Sequence, residues 1–135
     1  MNRLLNSRPF NTDLATLTLR LIFGGLLCVY HGYLKIENYD LYLSMSKDII
    51  GIGTKLSYNL VIFAELGCGF LVAIGLFTRL AVIPIIISFS VAFFIAHAKD
   101  AFMIKELAFL FLVLSIPVFI LGSGRYSADR LLLKR

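Results

Sequence analysis

Long apolar stretches separated by short polar segments dominate the chain. A helix needs roughly 20 apolar residues to cross the hydrocarbon core of a bilayer, and four stretches approach that length. They predict membrane spans at about 14–35, 58–77, 80–97 and 103–121. The third and fourth each contain a long run without charge. We therefore expect an all-α, four-helix membrane bundle that forms one domain over residues 1–135.

The connections between the spans constrain the topology. Spans two and three are joined by residues 78–79 alone, which predicts an antiparallel hairpin. Spans one and two are joined by residues 36–57, where apolar residues recur at helical spacing: Leu41, Met45, Ile49 and Ile52. Asp40 is placed to cap a helix there, and Gly51 or Gly53 to end it. The loop is predicted to carry a short amphipathic helix on the membrane surface.

Residues typical of helix ends flank the spans. Span one has three candidate N-caps: Asn11, Thr12 and Asp13. After span four, Gly122 or Gly124 is suited to a left-handed turn that ends the helix. Ser127 is placed to cap a short C-terminal helix over 128–134, with leucines toward the membrane and basic residues toward anionic headgroups.

Composition supports the membrane interpretation. Charged residues make up 16% of the chain, whereas soluble domains carry about 25%. The net charge of +5 does not indicate a nucleic-acid partner, because the basic residues lie in tails and loops rather than on one face. Seven of them share the side of the termini, against five on the other side. The bias predicts a bacterial inner-membrane protein with both termini in the cytoplasm.

Small residues occur on facing stripes of the first two spans. Cys28 and Cys68 lie inside apolar segments, without the spacing of a zinc or redox motif. We interpret both as small apolar core residues. Together with Gly24 and Gly69 they predict that spans one and two approach closely. The N-terminal tail has no small-residue cleavage site, so span one is expected to stay in the protein.

Five ionisable residues lie at membrane depth, where such groups usually face a protein interior or a water pocket. At about 1.5 Å of rise per residue, four of them fall in the outer half, one from each span: His31, Glu65, His97 and Glu106. They form a predicted ligand or proton pocket. Arg20 lies in the inner half, where Arg20, Arg79 and Asp129 are predicted structural charges. Asp129 or Asp13 is a candidate ion-pair partner for either arginine.

The residues alone leave three interpretations of the outer layer open. Two histidines and two glutamates can bind a divalent metal, although we predict no metal site. They can also relay protons or hydrogen-bond a quinone or sulfur substrate. Alternatively, Glu65 pairs with Arg20, Lys35 or a histidine and only locks the packing of the helices. His97 and Glu106 also lie close enough to the water boundary to be interfacial residues.

Three stretches resemble the DoxX family of small bacterial four-helix membrane proteins. They are RLIFGGLLCVYHGYLKI from Arg20, ELGCGFLVAIGLFTRLA from Glu65 and GSGRYSADRLL from Gly122. One departure is Ala128, where the family pattern favours leucine before the final aspartate. The resemblance implies a four-helix bundle with both termini inside. It also implies a setting of quinone and of sulfur or thiol redox chemistry, because the family is named after a quinone-linked oxidoreductase subunit.

The expected function is that of an accessory or quinone-interacting subunit of a membrane redox system linked to sulfur, thiol or oxidative-stress chemistry. Two alternatives stay open: a small oligomeric carrier or channel for protons or solutes, and a purely structural assembly factor. Quinone is the candidate cofactor that the resemblance suggests. The expected partners are the lipid bilayer, a redox enzyme subunit and other copies of this chain. No reaction follows from the residues alone.

Overall fold

Six helices account for most of residues 9–133, the part of the chain that the computed structural model describes. No strand occurs in this range. The helices are α1 (Thr12–Glu37), α2 (Tyr39–Met45), α3 (Thr54–Ile74), α4 (Thr78–Ala96), α5 (Phe102–Leu121) and α6 (Ala128–Leu133). The four long helices are apolar and long enough to cross a membrane. The predicted all-α, four-span architecture is confirmed.

Local chemistry sets the helix ends. The Asn11 side chain accepts a hydrogen bond from the Leu14 N–H at 3.0 Å, as expected of an N-cap. Helix α3 begins at Thr54, earlier than the predicted 58, and stops at Ile74 because Gly75 adopts a left-handed conformation with φ 75°. Gly122 ends α5 and also has a positive φ, 70°, but its ψ of −147° lies outside the left-handed helical region that Gly75 occupies.

The loop helix α2 is shorter than the sequence pattern predicts. We expected it to end at Gly51 or Gly53, but it ends at Met45, and Ser46 is extended. The carboxylate of Asp48 accepts hydrogen bonds from three consecutive N–H groups, of Gly51, Ile52 and Gly53, at 2.9 to 3.1 Å. These bonds stabilise a turn in competition with a longer helix.

The antiparallel arrangement gives the bundle two distinct ends. The terminal end carries the start of α1, the α3–α4 turn and the segment 122–127 after α5. A hydrogen bond of 3.2 Å from the Arg125 N–H to the Asp13 carboxylate joins the start of α1 to the segment after α5 there. The loop end carries residues 38–53 and the turn 97–101 between α4 and α5.

Aromatic and aliphatic side chains fill the bundle axis. Phe111 of α5 lies at its centre, with ring centroids 5.7 Å from Phe23 and 5.1 Å from Phe89. The other large buried core residues are Leu27, Val72, Val82, Ile85 and Val118. The interior of a single chain is therefore packed with apolar side chains.

Helices α1 and α3 approach each other closely at glycines. A Cβ atom on Gly24 would lie 2.5 Å from the Gly69 carbonyl oxygen, and one on Gly32 would lie 2.5 Å from the Leu66 backbone nitrogen. Both contacts are with backbone, so neither helix can make room without moving. The close approach through Gly24 and Gly69 is confirmed. Cys28 and Cys68 are both free, and Cys68 is buried.

Candidate functional site

Wide π-helical turns lie side by side in α1 and α3. They cover Leu27–Tyr33 and Phe63–Cys68, and the two segments contact each other. Such turns are rare and often occur at functional sites. Neither was predicted, because no residue pattern distinguishes them from the α-helix around them.

A buried ion pair joins the two helices beside these turns. The Glu65 carboxylate, in a residue only 5% exposed, is bound by the ammonium group of Lys35. Lys35 Nζ also approaches the His31 carbonyl oxygen at 3.5 Å, and the Tyr58 hydroxyl donates to the Lys35 carbonyl oxygen at 3.0 Å. A buried carboxylate needs such a partner to stay charged. Lys35 is one of the partners that the sequence offered for Glu65.

His31 lies on the same side of α1 but packs through its ring. The ring is half-buried and meets Phe111 edge to face, with centroids 5.2 Å apart. Lys35 lies one turn after His31 on α1, and its ammonium group contacts both the His31 carbonyl oxygen and the Glu65 carboxylate. Their assignment to a ligand or proton pocket stays a prediction.

His97 and Glu106 lie apart from this ion pair. His97 follows the last residue of α4, and its Nδ1 atom lies 2.7 Å from the Asp100 carboxylate. Glu106 is exposed in the first turns of α5. The structure thus does not gather the four predicted residues into one cluster. Within residues 9–133 no group of three or more His, Cys, Asp or Glu side chains is placed to hold a metal ion.

A cleft of about 810 Å³ opens at the loop end, between α3, α4 and the segment 45–50. Apolar side chains of α3 and α4 form its walls: Leu60, Val61, Phe63, Ala64, Pro84, Ile87 and Val91. Leu60, Phe63 and Ile87 are also exposed on the outside of the bundle, so the cleft faces the lipid. Polar groups collect toward its loop end: Ser46, Lys47, Ser57, Tyr58, His97 and Asp100. His97 is the one predicted site residue that lines this cleft.

The loop over the cleft is fastened to α3. The Tyr39 hydroxyl donates to the Asn59 side chain at 2.7 Å, and the Tyr39 ring lies edge to face with Tyr58 at 5.3 Å. Further along the loop, the Ser57 hydroxyl lies 3.5 Å from the Asp48 carboxylate that gathers the turn. Two attachments therefore hold segment 45–50 over the cleft. Sequence reasoning missed the cleft because periodicity gives the faces of helices but not which faces meet.

At the terminal end, Arg20 is 1% exposed and binds backbone carbonyl groups. Its Nη1 atom lies 3.4 Å from the carbonyl oxygens of Val72 and Ala73, and its Nη2 atom donates to the Tyr126 carbonyl at 2.5 Å. Gly75 leaves room for the guanidinium group, because a Cβ there would lie 1.9 Å from Nη1. Arg20 thus connects α1 to α3 and to the C-terminal segment.

The other two terminal-end charges also bind backbone. Asp129 accepts a hydrogen bond from the Phe77 N–H at 3.0 Å. Arg79 donates to the carbonyls of Phe119 and Ile120, each at 3.2 Å, at the end of α5. The sequence suggested ion pairs of Asp129 or Asp13 with Arg79 or Arg20. In the structure each of these charged side chains instead forms hydrogen bonds with backbone N–H or C=O groups that have no partner within their own helix, as occurs at every helix end.

These features define a class: a multi-pass membrane protein built as a four-helix bundle, with a buried ion pair and a lipid-facing cleft. The family model described as DoxX matches residues 15–98. This chain belongs to the DoxX family. The match spans most of α1 and all of α2 to α4, and so includes the ion pair and most of the cleft. Among curated proteins and solved structures there is no match to this chain.

Proposed function

We propose that this protein is an accessory, quinone-interacting subunit of a membrane redox system, and that the cleft between α3 and α4 holds the quinone. One observation carries the proposal. The walls of the cleft on α3 and α4 are almost entirely apolar, whereas its loop end mixes the apolar side chains of Met45, Ile49 and Ile50 with most of the polar groups that line it. A membrane quinone has the same division, with an isoprenoid tail and a ring that bears oxygen atoms.

The size of the cleft suits part of such a molecule. Small-ligand sites commonly enclose about 300–1,000 Å³, and this cleft encloses about 810 Å³. It accommodates the ring and the first isoprene units, and the rest of the tail extends into the bilayer past the exposed Phe63 and Ile87. A ligand reaching the site from within the membrane needs no passage through the bundle.

The orientation proposed for the chain places this cleft near the outer surface of a bacterial inner membrane. Arg79, Arg125 and Arg130 lie at the terminal end, which agrees with termini in the cytoplasm under the positive-inside tendency. A quinone held at the opposite end would be presented to a redox partner on the outer side, such as an enzyme of sulfur or thiol chemistry.

The packing of the bundle axis supports binding over conduction by a single chain. Phe23 and Phe89 both pack against Phe111 at its centre. A carrier or channel would have to form between copies of the chain. A purely structural assembly factor would leave the cleft without a specific ligand, so the same experiment tests it.

The test is photolabelling with a short-chain quinone that carries a photoreactive tail, using the protein in lipid nanodiscs. We expect labelled peptides from α3 and α4, with Val91→Phe, which fills the cleft, reducing the labelling severalfold. The matched control is Val113→Phe, a lipid-exposed position on α5 outside the cleft. Labelling spread evenly over all four spans, and equal in both variants, would exclude the cleft as a quinone site.

The proposed role in a complex has its own test. The protein is purified from its native membrane in mild detergent, and mass spectrometry identifies the proteins and small molecules that accompany it. A stoichiometric redox enzyme subunit supports the accessory role. Repeated recovery of the bare chain under conditions that keep other membrane complexes intact would count against it.

A further inference from the structure

His97 and Asp100 form a hydrogen-bonded pair at the polar end of the cleft. The His97 Nδ1 atom lies 2.7 Å from an Asp100 carboxylate oxygen, and both residues line the cleft. An ionised carboxylate can only accept hydrogen bonds, so Nδ1 carries the hydrogen of this contact. In a neutral ring the other nitrogen, Nε2, then has a free lone pair and can only accept.

The lysine of α5 that lies near this turn is engaged by other groups. Lys105, on the adjoining α5, donates to the Ala98 carbonyl at 3.3 Å and lies over the Phe93 ring at 4.9 Å. On the loop side, Lys47 also lines the cleft and offers a hydrogen-bond donor. The polar end is therefore lined by a residue of the α4–α5 turn that can accept a hydrogen bond and by a residue of the loop that can donate one.

We infer that the His97–Asp100 pair accepts a hydrogen bond from a hydroxyl group of the ligand, so that the cleft binds the reduced, hydroxyl-bearing form of a quinone more tightly than the oxidised form. The inference rests on the proposed function and adds its redox preference. A quinol ring carries hydroxyl hydrogens that Nε2 can accept. A quinone carbonyl carries none and would place its lone pairs against that of Nε2.

The test compares two ligands in equilibrium binding to nanodisc-embedded protein under anaerobic conditions. The ligands are a short-chain benzoquinone and its quinol. One hydrogen bond between neutral groups corresponds to about a fivefold change in affinity, so we expect about fivefold tighter binding of the quinol. A diacylglycerol competitor distinguishes a quinol site from a site for any hydroxylated lipid. Only at a site of the second kind would diacylglycerol displace a bound quinol as well as unlabelled quinol does.

Asp100→Asn gives the sharpest variant. Its amide can donate to Nδ1, which favours the ring tautomer with a hydrogen on Nε2. The preference for quinol should then disappear or reverse toward the quinone. The amount of quinone bound at saturation should not change. Glu37→Gln is the matched control, since Glu37 is an exposed carboxylate outside the cleft. It should keep the fivefold ratio.

The outcomes separate the two proposals. Equal binding of quinol and quinone by the unaltered protein, or a ratio unchanged in Asp100→Asn, overturns the role of the His97–Asp100 pair but leaves the cleft as a quinone site. Absence of saturable binding of either ligand overturns the proposed function itself. Equal displacement by diacylglycerol reassigns the pair to hydroxylated lipids in general. The altered residue lies in an exposed turn, and circular dichroism confirms that the variant keeps its helices.

Discussion

Removing one partner of the Lys35–Glu65 ion pair should have very different effects depending on which partner is removed. Lys35→Met leaves a carboxylate whose side chain is 6% exposed without its counterion. An unpaired buried charge of this kind costs about 3–5 kcal/mol, and we expect about 3 kcal/mol because the carboxylate can take up a proton instead. Glu65→Met leaves Lys35, whose side chain is 23% exposed and can turn toward water. We expect about 1 kcal/mol for that change.

The double variant Lys35→Met with Glu65→Met decides whether the pair acts as a unit. Replacing both members of a buried pair by apolar residues is often close to neutral, so the loss should be about 1 kcal/mol or less. The coupling energy between the two sites would then be about 3 kcal/mol. Substitutions at independent sites deviate from additivity by only about 0.3–0.5 kcal/mol.

The assay is reversible unfolding in mixed micelles, with helix content followed by far-ultraviolet circular dichroism as the fraction of denaturing detergent rises. The chain has no tryptophan, so intrinsic tryptophan fluorescence is not an option. Lys55→Met removes an exposed lysine from the same end of α3 and should change stability by less than about 0.5 kcal/mol. Equal losses for the two single variants, adding fully in the double, would refute the argument that the pair is buried and coupled.

Three further changes test the packing of the bundle, each measured by the same unfolding assay. Gly24→Ala places a methyl group against the backbone of α3 and should cost about 1–3 kcal/mol of stability. Its control, Gly25→Ala, meets no atom within 4 Å and should be neutral. Equal effects of the two changes would argue against the close approach of α1 and α3. Gly75→Ala must combine a positive φ with a clash against Arg20, and we expect a loss of about 3 kcal/mol, so a folded variant of full stability would contradict the assigned geometry. Asp129→Ala removes one acceptor at the start of α4 and should cost about 1 kcal/mol, and no loss would show that water replaces it.

The four spans were predictable because apolar length is a strong and local signal. The sequence also indicated Asn11 as one of three candidate caps and Gly122 as one of two candidate helix terminators, because such residues act on their own neighbours. The loop helix was overestimated because its apolar spacing continues past Met45. Only the placement of Asp48 beneath three N–H groups shows that the chain turns there.

The candidate site was less accessible to sequence reasoning because it depends on contacts between distant residues. Depth along each span placed His31, Glu65, His97 and Glu106 in one layer, but depth does not fix the direction in which a side chain points. The structure directs Glu65 inward to Lys35 and His97 toward Asp100 at the surface. The cleft itself arises from a loop folding over two helices, a relation that no periodicity in the chain encodes.

The partners of Arg20 also imply an order of assembly. Arg20 lies 106 residues before Tyr126, whose carbonyl binds it, so α1 leaves the ribosome well before this partner is made. During synthesis this arginine enters the bilayer without its final partner, and α3 can supply only the carbonyls of Val72 and Ala73. The contacts that close the terminal end of the bundle can therefore form only after the segment 122–127 has been made. Truncation after α5 would leave all four spans but would remove the Tyr126 carbonyl, to which Nη2 of the buried Arg20 donates.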